Sequence, residues 1–150
     1  EGIIPEDVQS VPGIDGRKMS KSYNNTLPIF APEKDLRKQI MRIVTDSTPP
    51  EEPKNPDTCN LYQIYRLFAP AERLAEVRGL YLGGGLAYGA LKSELAELLL
   101  AYFADARGKY SALIADRAYL DQVLAQGAQK ARAIAAPVLK RMRKAVGIDA

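Results

Sequence analysis

Histidine is absent from the 150 residues, so no step that needs an imidazole can come from this chain. Cysteine occurs once, at Cys59, which excludes a disulfide within the chain and makes the reducing cytoplasm the expected compartment. The first residues, Glu1-Gly2-Ile3-Ile4-Pro5-Glu6-Asp7, have neither the basic start nor the apolar run of a signal peptide, and no stretch reads as a membrane span. Strands alternating with helices, the pattern of a parallel nucleotide-binding sheet, do not occur. No metal-ligand pattern is read either.

What is present describes a globular chain. Hydrophobic residues at 47% and charged residues at 26% suit one domain, or a small domain with an appendage, around a modest core. The formal charge of +3 leans toward an anionic partner without requiring one. Chemistry concentrates in Val11-Pro12-Gly13-Ile14-Asp15-Gly16-Arg17-Lys18-Met19-Ser20-Lys21-Ser22, followed by Tyr23-Asn24-Asn25-Thr26. Pro12, Gly13, Asp15 and Gly16 favour turns and rule out a regular helix or strand, so this is a loop. Arg17, Lys18 and Lys21 supply cationic donors, Ser20 and Ser22 supply hydroxyls, and a glycine-containing backbone can turn N–H groups toward an anion. A polyphosphate suits that set. A solvated basic surface loop has the same composition, and composition alone does not separate the two.

Lys18-Met19-Ser20-Lys21-Ser22 is, complete and unaltered, the KMSKS signature of class I aminoacyl-tRNA synthetases. The flanks Pro12-Gly13-Ile14-Asp15-Gly16 and Tyr23-Asn24-Asn25-Thr26 resemble the tryptophanyl-tRNA synthetases in particular. Val44-Thr45-Asp46-Ser47 and Asp57-Thr58-Cys59-Asn60 extend the resemblance, as does Gly84-Gly85-Leu86-Ala87-Tyr88-Gly89-Ala90-Leu91-Lys92, where Ala87 replaces a usual glycine and Ala90 a usual acid. In that family the loop closes over ATP while the amino acid is activated. The resemblance therefore implies Lys18 and Lys21 as stabilisers of the departing pyrophosphate, Ser20 and Ser22 as hydrogen-bonding supports, Met19 as a packing anchor, and Gly13, Asp15 and Gly16 as shapers of an ATP-binding loop. It also implies ATP with Mg2+, tryptophan and tRNA(Trp) as ligands of a cytoplasmic, homodimeric parent with no membrane attachment. The family's HIGH-type motif is missing, so the chain is expected to be a C-terminal part that lacks the Rossmann-type domain and the amino acid pocket, and to be inactive alone.

The expected fold is mainly α, a bundle of about four to six helices read from apolar periodicity. Residues 1–30 are assigned to the tail of the catalytic domain with its loop, and residues 31–150 to a helical anticodon-binding domain. Leu27-Pro28-Ile29-Phe30 is a strand fragment or a core anchor, and its proline argues against a central strand. Pro32-Glu33-Lys34-Asp35 opens a helix whose inner face is Leu36, Ile40, Ile43 and Val44. A proline-rich linker through Pro56 follows. Asp57 or Thr58 caps a second helix facing inward through Leu61, Ile64, Tyr65 and Phe68. Pro70 begins a shorter third helix with Leu74 and Val77 inside, ended by Gly83-Gly84-Gly85, which is a tight connection rather than a phosphate cradle. Leu91, Leu95, Leu98, Leu99, Tyr102 and Leu113 mark residues 89–115 as one long amphipathic helix facing inward through them, with Gly108 as its weak point.

Asp116 caps the last helix, whose inner face is Leu120, Val123, Leu124, Ala131, Ile134, Val138, Leu139 and Met142, with Pro137 bending or opening it. Lys130, Arg132, Lys140, Arg141, Arg143 and Lys144 lie on the same helix, either as a surface tracking tRNA phosphates or as an ordinary solvated face. With glycines and mutually repelling cations, the loop is expected to lack a fixed shape without nucleotide, whereas the bundle from Pro32 should fold cooperatively. Two rivals stand: another nucleotidyltransferase of the same superfamily, and a free-standing RNA-binding bundle.

Overall fold

The structure, a computed structural model, describes residues 10–148. Residues 1–9 of the expected domain tail lie outside them. Among the described residues there are six helices and no strand: α1 Glu33–Met41, α2 Asn60–Tyr65, α3 Ala71–Gly83, α4 Tyr88–Tyr102, α5 Ala104–Ala115 and α6 Arg117–Ala145. The mainly α fold read from periodicity is thus observed. Two compact units divide the chain between Arg107 and Gly108.

In the first unit, α1 packs on α4. Leu36 and Ile40 of α1 meet a core that includes Leu61, Ile64 and Tyr65 of α2, Val77 and Tyr81 of α3, and Leu91, Leu95 and Leu99 of α4. These side chains recur at three- and four-residue spacing, so each helix turns one face inward, and each fully buried aliphatic stabilises by about 1.5–3 kcal/mol. Arg37 ties α1 to α4 by bridging Glu33 and Glu97. Tyr62 meets Tyr81 edge to face at 5.2 Å between ring centres. Ile14, from the loop stretch, belongs to the same core.

Several boundaries differ from the sequence expectation. α1 ends at Met41, and Val44 is exposed although Ile43 is buried. The chain turns at Arg42 so that the Val44 N–H can meet the Ile14 carbonyl at 2.8 Å. Neither Asp57 nor Thr58 caps α2, which starts after Cys59; Asp57 is instead paired with Arg78 at 2.8 Å. α3 spans 13 residues and is longer than α1 or α2. The supposed long fourth helix breaks at Phe103, where that ring lies 5.9 Å from Phe68 and 4.9 Å from Tyr102, and Gly108 sits inside α5. Tyr102 and Leu113, assigned to its inner face, are exposed.

The glycine run after α3 is the tight connection expected. Gly84 and Gly85 have φ of +83° and +100°, and a Cβ on Gly84 would lie 2.2 Å from the Glu51 carbonyl oxygen. Ala87, at φ −89°, needs no glycine, so the departure from the family pattern there is conformationally free. Lys54, 6% exposed, donates to the carbonyls of Pro49, Pro50 and Glu52 and so shapes the proline-rich linker from within.

The second unit holds the rest of α5 and all of α6. Asp116 caps α6 as expected, its carboxylate accepting the Tyr119 N–H at 2.9 Å, and the helix runs through Pro137. None of the residues assigned to its inner face is buried, and Ile134 is 76% exposed. Periodicity marks α6 as amphipathic but carries no information about what covers its apolar stripe.

Candidate functional site

The loop carrying the two lysines is a tight hairpin followed by a single turn. Gly13 N–H donates to the Arg17 carbonyl at 2.7 Å and Met19 N–H to the Val11 carbonyl at 2.9 Å, which brings Pro12 beside Lys18 in an antiparallel bridge. Gly16 closes the hairpin at φ +84°, in the left-handed region that suits glycine. Lys21–Tyr23 then form one 3-10 turn. The Ser20 hydroxyl caps it by accepting the Ser22 N–H at 3.2 Å, and Asn24 ends it at φ +52°.

Under this turn lies Asn25, 1% exposed, which sequence reading placed in a motif but gave no part. Its amide donates to Asp15 Oδ1 at 2.7 Å and to the Lys18 carbonyl at 3.2 Å, and its Oδ1 accepts the Ser20 N–H at 2.8 Å. Hydrogen bonds from the Asn25 amide and from Arg17 hold the Asp15 carboxyl below its ordinary range, partly offset by its burial. Arg17 is thereby engaged: it forms an ion pair with Asp15 at 2.7 Å and lies 4.6 Å from the centre of the Tyr23 ring. Lys18, Lys21 and Ser22 are exposed, and neither lysine ammonium has a partner among the described residues. Met19 is partly buried. The backbone is therefore held by hydrogen bonds while the cationic tips are left open.

The loop is also joined to the bundle. Asn60, the first residue of α2, donates to the carbonyls of Gly13 at 2.9 Å and Ile14 at 3.1 Å. A cavity of about 370 Å³ opens beside this joint, lined by Asp15 and Gly16 from the loop, by Val44, Thr45 and Asp46, and by Thr58, Cys59 and Asn60. The three stretches that resembled the family before the glycine run thus meet at one place. Asp46 accepts from Tyr88 Oη at 3.0 Å, and hydrogen bonds from Thr48 are the chief cause of its lowered pKa. The Asn60 Oδ1 is buried without a partner. The Cys59 thiol lies 3.3 Å from the Tyr81 hydroxyl, in a setting that suits packing rather than catalysis.

The six basic residues assigned to RNA are all exposed on α6. They do not share one face: at about 100° per residue, Lys130 and Arg141 border one side of the apolar stripe, Arg132 and Arg143 the other, and Lys140 and Lys144 lie behind. No group of three or more His, Cys, Asp or Glu side chains among the described residues is arranged to hold a metal. No helix among them is long and apolar enough to cross a membrane.

No catalogued family profile matches the chain. The tryptophan–tRNA ligase of Pseudomonas aeruginosa is 48% identical over 148 residues, which is 99% of this chain and 33% of that protein. The tryptophan–tRNA ligase of Rhodopirellula baltica is 49% identical over 92% of this chain and 43% of its own length. Among solved structures, the tryptophanyl-tRNA synthetase of Campylobacter jejuni, complexed with ADP and tryptophan, superposes with a TM-score of 0.83 at 44% identity, over 97% of this chain and 46% of that one. Along nearly its whole length, and in fold, the chain is similar to one part of these tryptophan–tRNA ligases, and it spans a third to just under half of the curated relatives it matches.

Proposed function

We propose that the chain is the C-terminal part of a tryptophan–tRNA ligase, which joins tryptophan to ATP to give tryptophanyl-adenylate and pyrophosphate and then passes the acyl group to the terminal ribose of tRNA(Trp). The observation that carries this is the unaltered KMSKS stretch, held on a buried frame with the Lys18 and Lys21 ammonium groups left open. Attack of the tryptophan carboxylate on the α-phosphate releases pyrophosphate, and negative charge grows on the leaving oxygens. Two cations on a short loop stabilise that charge more than they stabilise bound ATP, so they accelerate the step rather than merely tighten binding. Ser20 and Ser22 order the turn bearing Lys21, and Gly13, Asp15 and Gly16 set its entry.

ATP is a substrate in this reading, with Mg2+ carried on its phosphates. Residues up to about 30 serve as the loop-bearing tail of the catalytic domain and the helices beyond as the anticodon-binding domain. In this reading the exposed basic residues of α6 track tRNA phosphates. The parent enzyme works in the cytoplasm as a homodimer. Pocket and HIGH-type residues are to be supplied by the rest of the ligase, so the 150-residue chain alone does not activate tryptophan.

The test is exchange of labelled pyrophosphate into ATP. The ligase bearing this chain should show exchange that depends on tryptophan and on no other amino acid, while the purified 150-residue chain should show none. Exchange by the chain alone, or exchange driven by another amino acid, contradicts the proposal.

A further inference from the structure

We propose that Asn25 is a positioning residue for the loop lysines: one buried carboxamide fixes the backbone on both sides of Met19 and so sets where Lys18 and Lys21 stand. The inference rests on the reading of those lysines as stabilisers of the departing pyrophosphate.

The contacts of Asn25 are directional. Its Nδ2 faces three acceptors, Asp15 Oδ1 at 2.7 Å and the carbonyls of Lys18 at 3.2 Å and Arg17 at 3.4 Å, while its Oδ1 faces the Ser20 N–H at 2.8 Å. Turning the amide over would set an oxygen against three acceptors, so one orientation is enforced. The Lys18 carbonyl and the Ser20 N–H flank Met19, and both are held by the same side chain. From Ser20 the constraint passes on, because its hydroxyl accepts the Ser22 N–H and caps the turn that bears Lys21. The Asn25 carbonyl also accepts the Ile14 N–H at 2.9 Å, and Ile14 is buried in the core, so the hub is fixed to the bundle as well as to the loop.

Two further facts fit this assignment. Gly13 leaves the space Asn25 occupies: a Cβ there would lie 2.3 Å from Asn25 Cγ and 2.6 Å from its carbonyl oxygen. The lysine side chains have no partners of their own among the described residues, so their direction is inherited from the backbone under them. A buried polar side chain left half-satisfied is costly, which gives the network a strong preference for one arrangement. A loop backbone held in one arrangement leaves less to be ordered at the step at which charge develops.

The experiment is a double-mutant cycle on the whole ligase, read by pyrophosphate exchange. Asn25→Ala should lower kcat about tenfold while the KM for tryptophan stays within about twofold, and in a background carrying both Lys18→Ala and Lys21→Ala the same change should cost about twofold or less, since a residue that acts through the two lysines has little left to lose. Asn25→Asp keeps the shape and the acceptor but sets a carboxylate against Asp15, and it should give the same pattern; it serves if the alanine variant melts below the assay temperature. Wild-type kcat in both Asn25 variants would overturn the inference, and so would equal losses with and without the two lysines. Lys21→Ala at the wild-type rate would instead overturn the assignment of the lysine, and the inference with it.

Discussion

At single residues, the forces that shape the site come from groups whose type does not announce their burial. Asn25 and Lys54 are polar, yet they are 1% and 6% exposed, each satisfied by several partners at once. A sequence shows an asparagine in a polar run and a lysine among prolines, and both read as surface. The lysines of the loop were legible because their spacing forms a known signature; the carboxamide that holds them was not, since its contacts run to backbone atoms that any residue could supply. Gly84 gives a direct check on local geometry. Gly84→Ala forces a side chain into a left-handed conformation and against the Glu51 carbonyl, and should lower the thermal midpoint, with a loss above about 1 kcal/mol.

Glu94 makes a test by pH. Arg73 holds it with hydrogen bonds at 2.9 and 2.8 Å and Tyr65 Oη donates to it at 2.6 Å. Those bonds, from Arg73 above all, lower its pKa below the ordinary value of 4.5, partly offset by burial. Because the folded pKa is the lower one, the stabilisation is fully present above the unfolded value and is lost as pH falls through the folded value. Glu94→Gln should therefore be less stable than the wild type at pH 7, and the gap between their melting temperatures should narrow as pH drops below about 4.5.

Among the elements, helix type was readable and helix ends were not. The apolar spacing of Leu36 and Ile40, and of Leu91, Leu95 and Leu99, identifies inward faces that the structure confirms. The sequence reads residues 89–115 as one helix whose weak point is Gly108, but the helix breaks at Phe103, whose ring lies 5.9 Å from that of Phe68. Side-chain packing between distant residues has no local sequence mark. Leu95, fully buried on α4, should be the sharpest point of this element: Leu95→Ala should destabilise the protein by about 2–5 kcal/mol, measured by denaturant unfolding, whereas Leu124→Ala on exposed α6 should change it by less than about 0.5 kcal/mol.

For the whole molecule, the two compact units carry different parts of the proposed work. The loop, the cavity beside it and the joint at Asn60 belong to the first, and the exposed basic residues of α6 to the second. Replacing Lys140, Arg141, Arg143 and Lys144 together by alanine should raise the KM of the ligase for tRNA and flatten its dependence on salt, because fewer counterions are released, while pyrophosphate exchange stays unchanged. An altered exchange rate would link α6 to the chemical step.

On the proposed function, Lys21 meets charge that exists chiefly in the transition state of tryptophan activation. Single-turnover formation of tryptophanyl-adenylate by the whole ligase, compared between wild type and Lys21→Ala, measures it most directly. The rate should fall about tenfold or more while the Kd for tryptophan changes by less than about twofold. An unchanged rate, or a loss confined to tryptophan affinity, would remove Lys21 from that role.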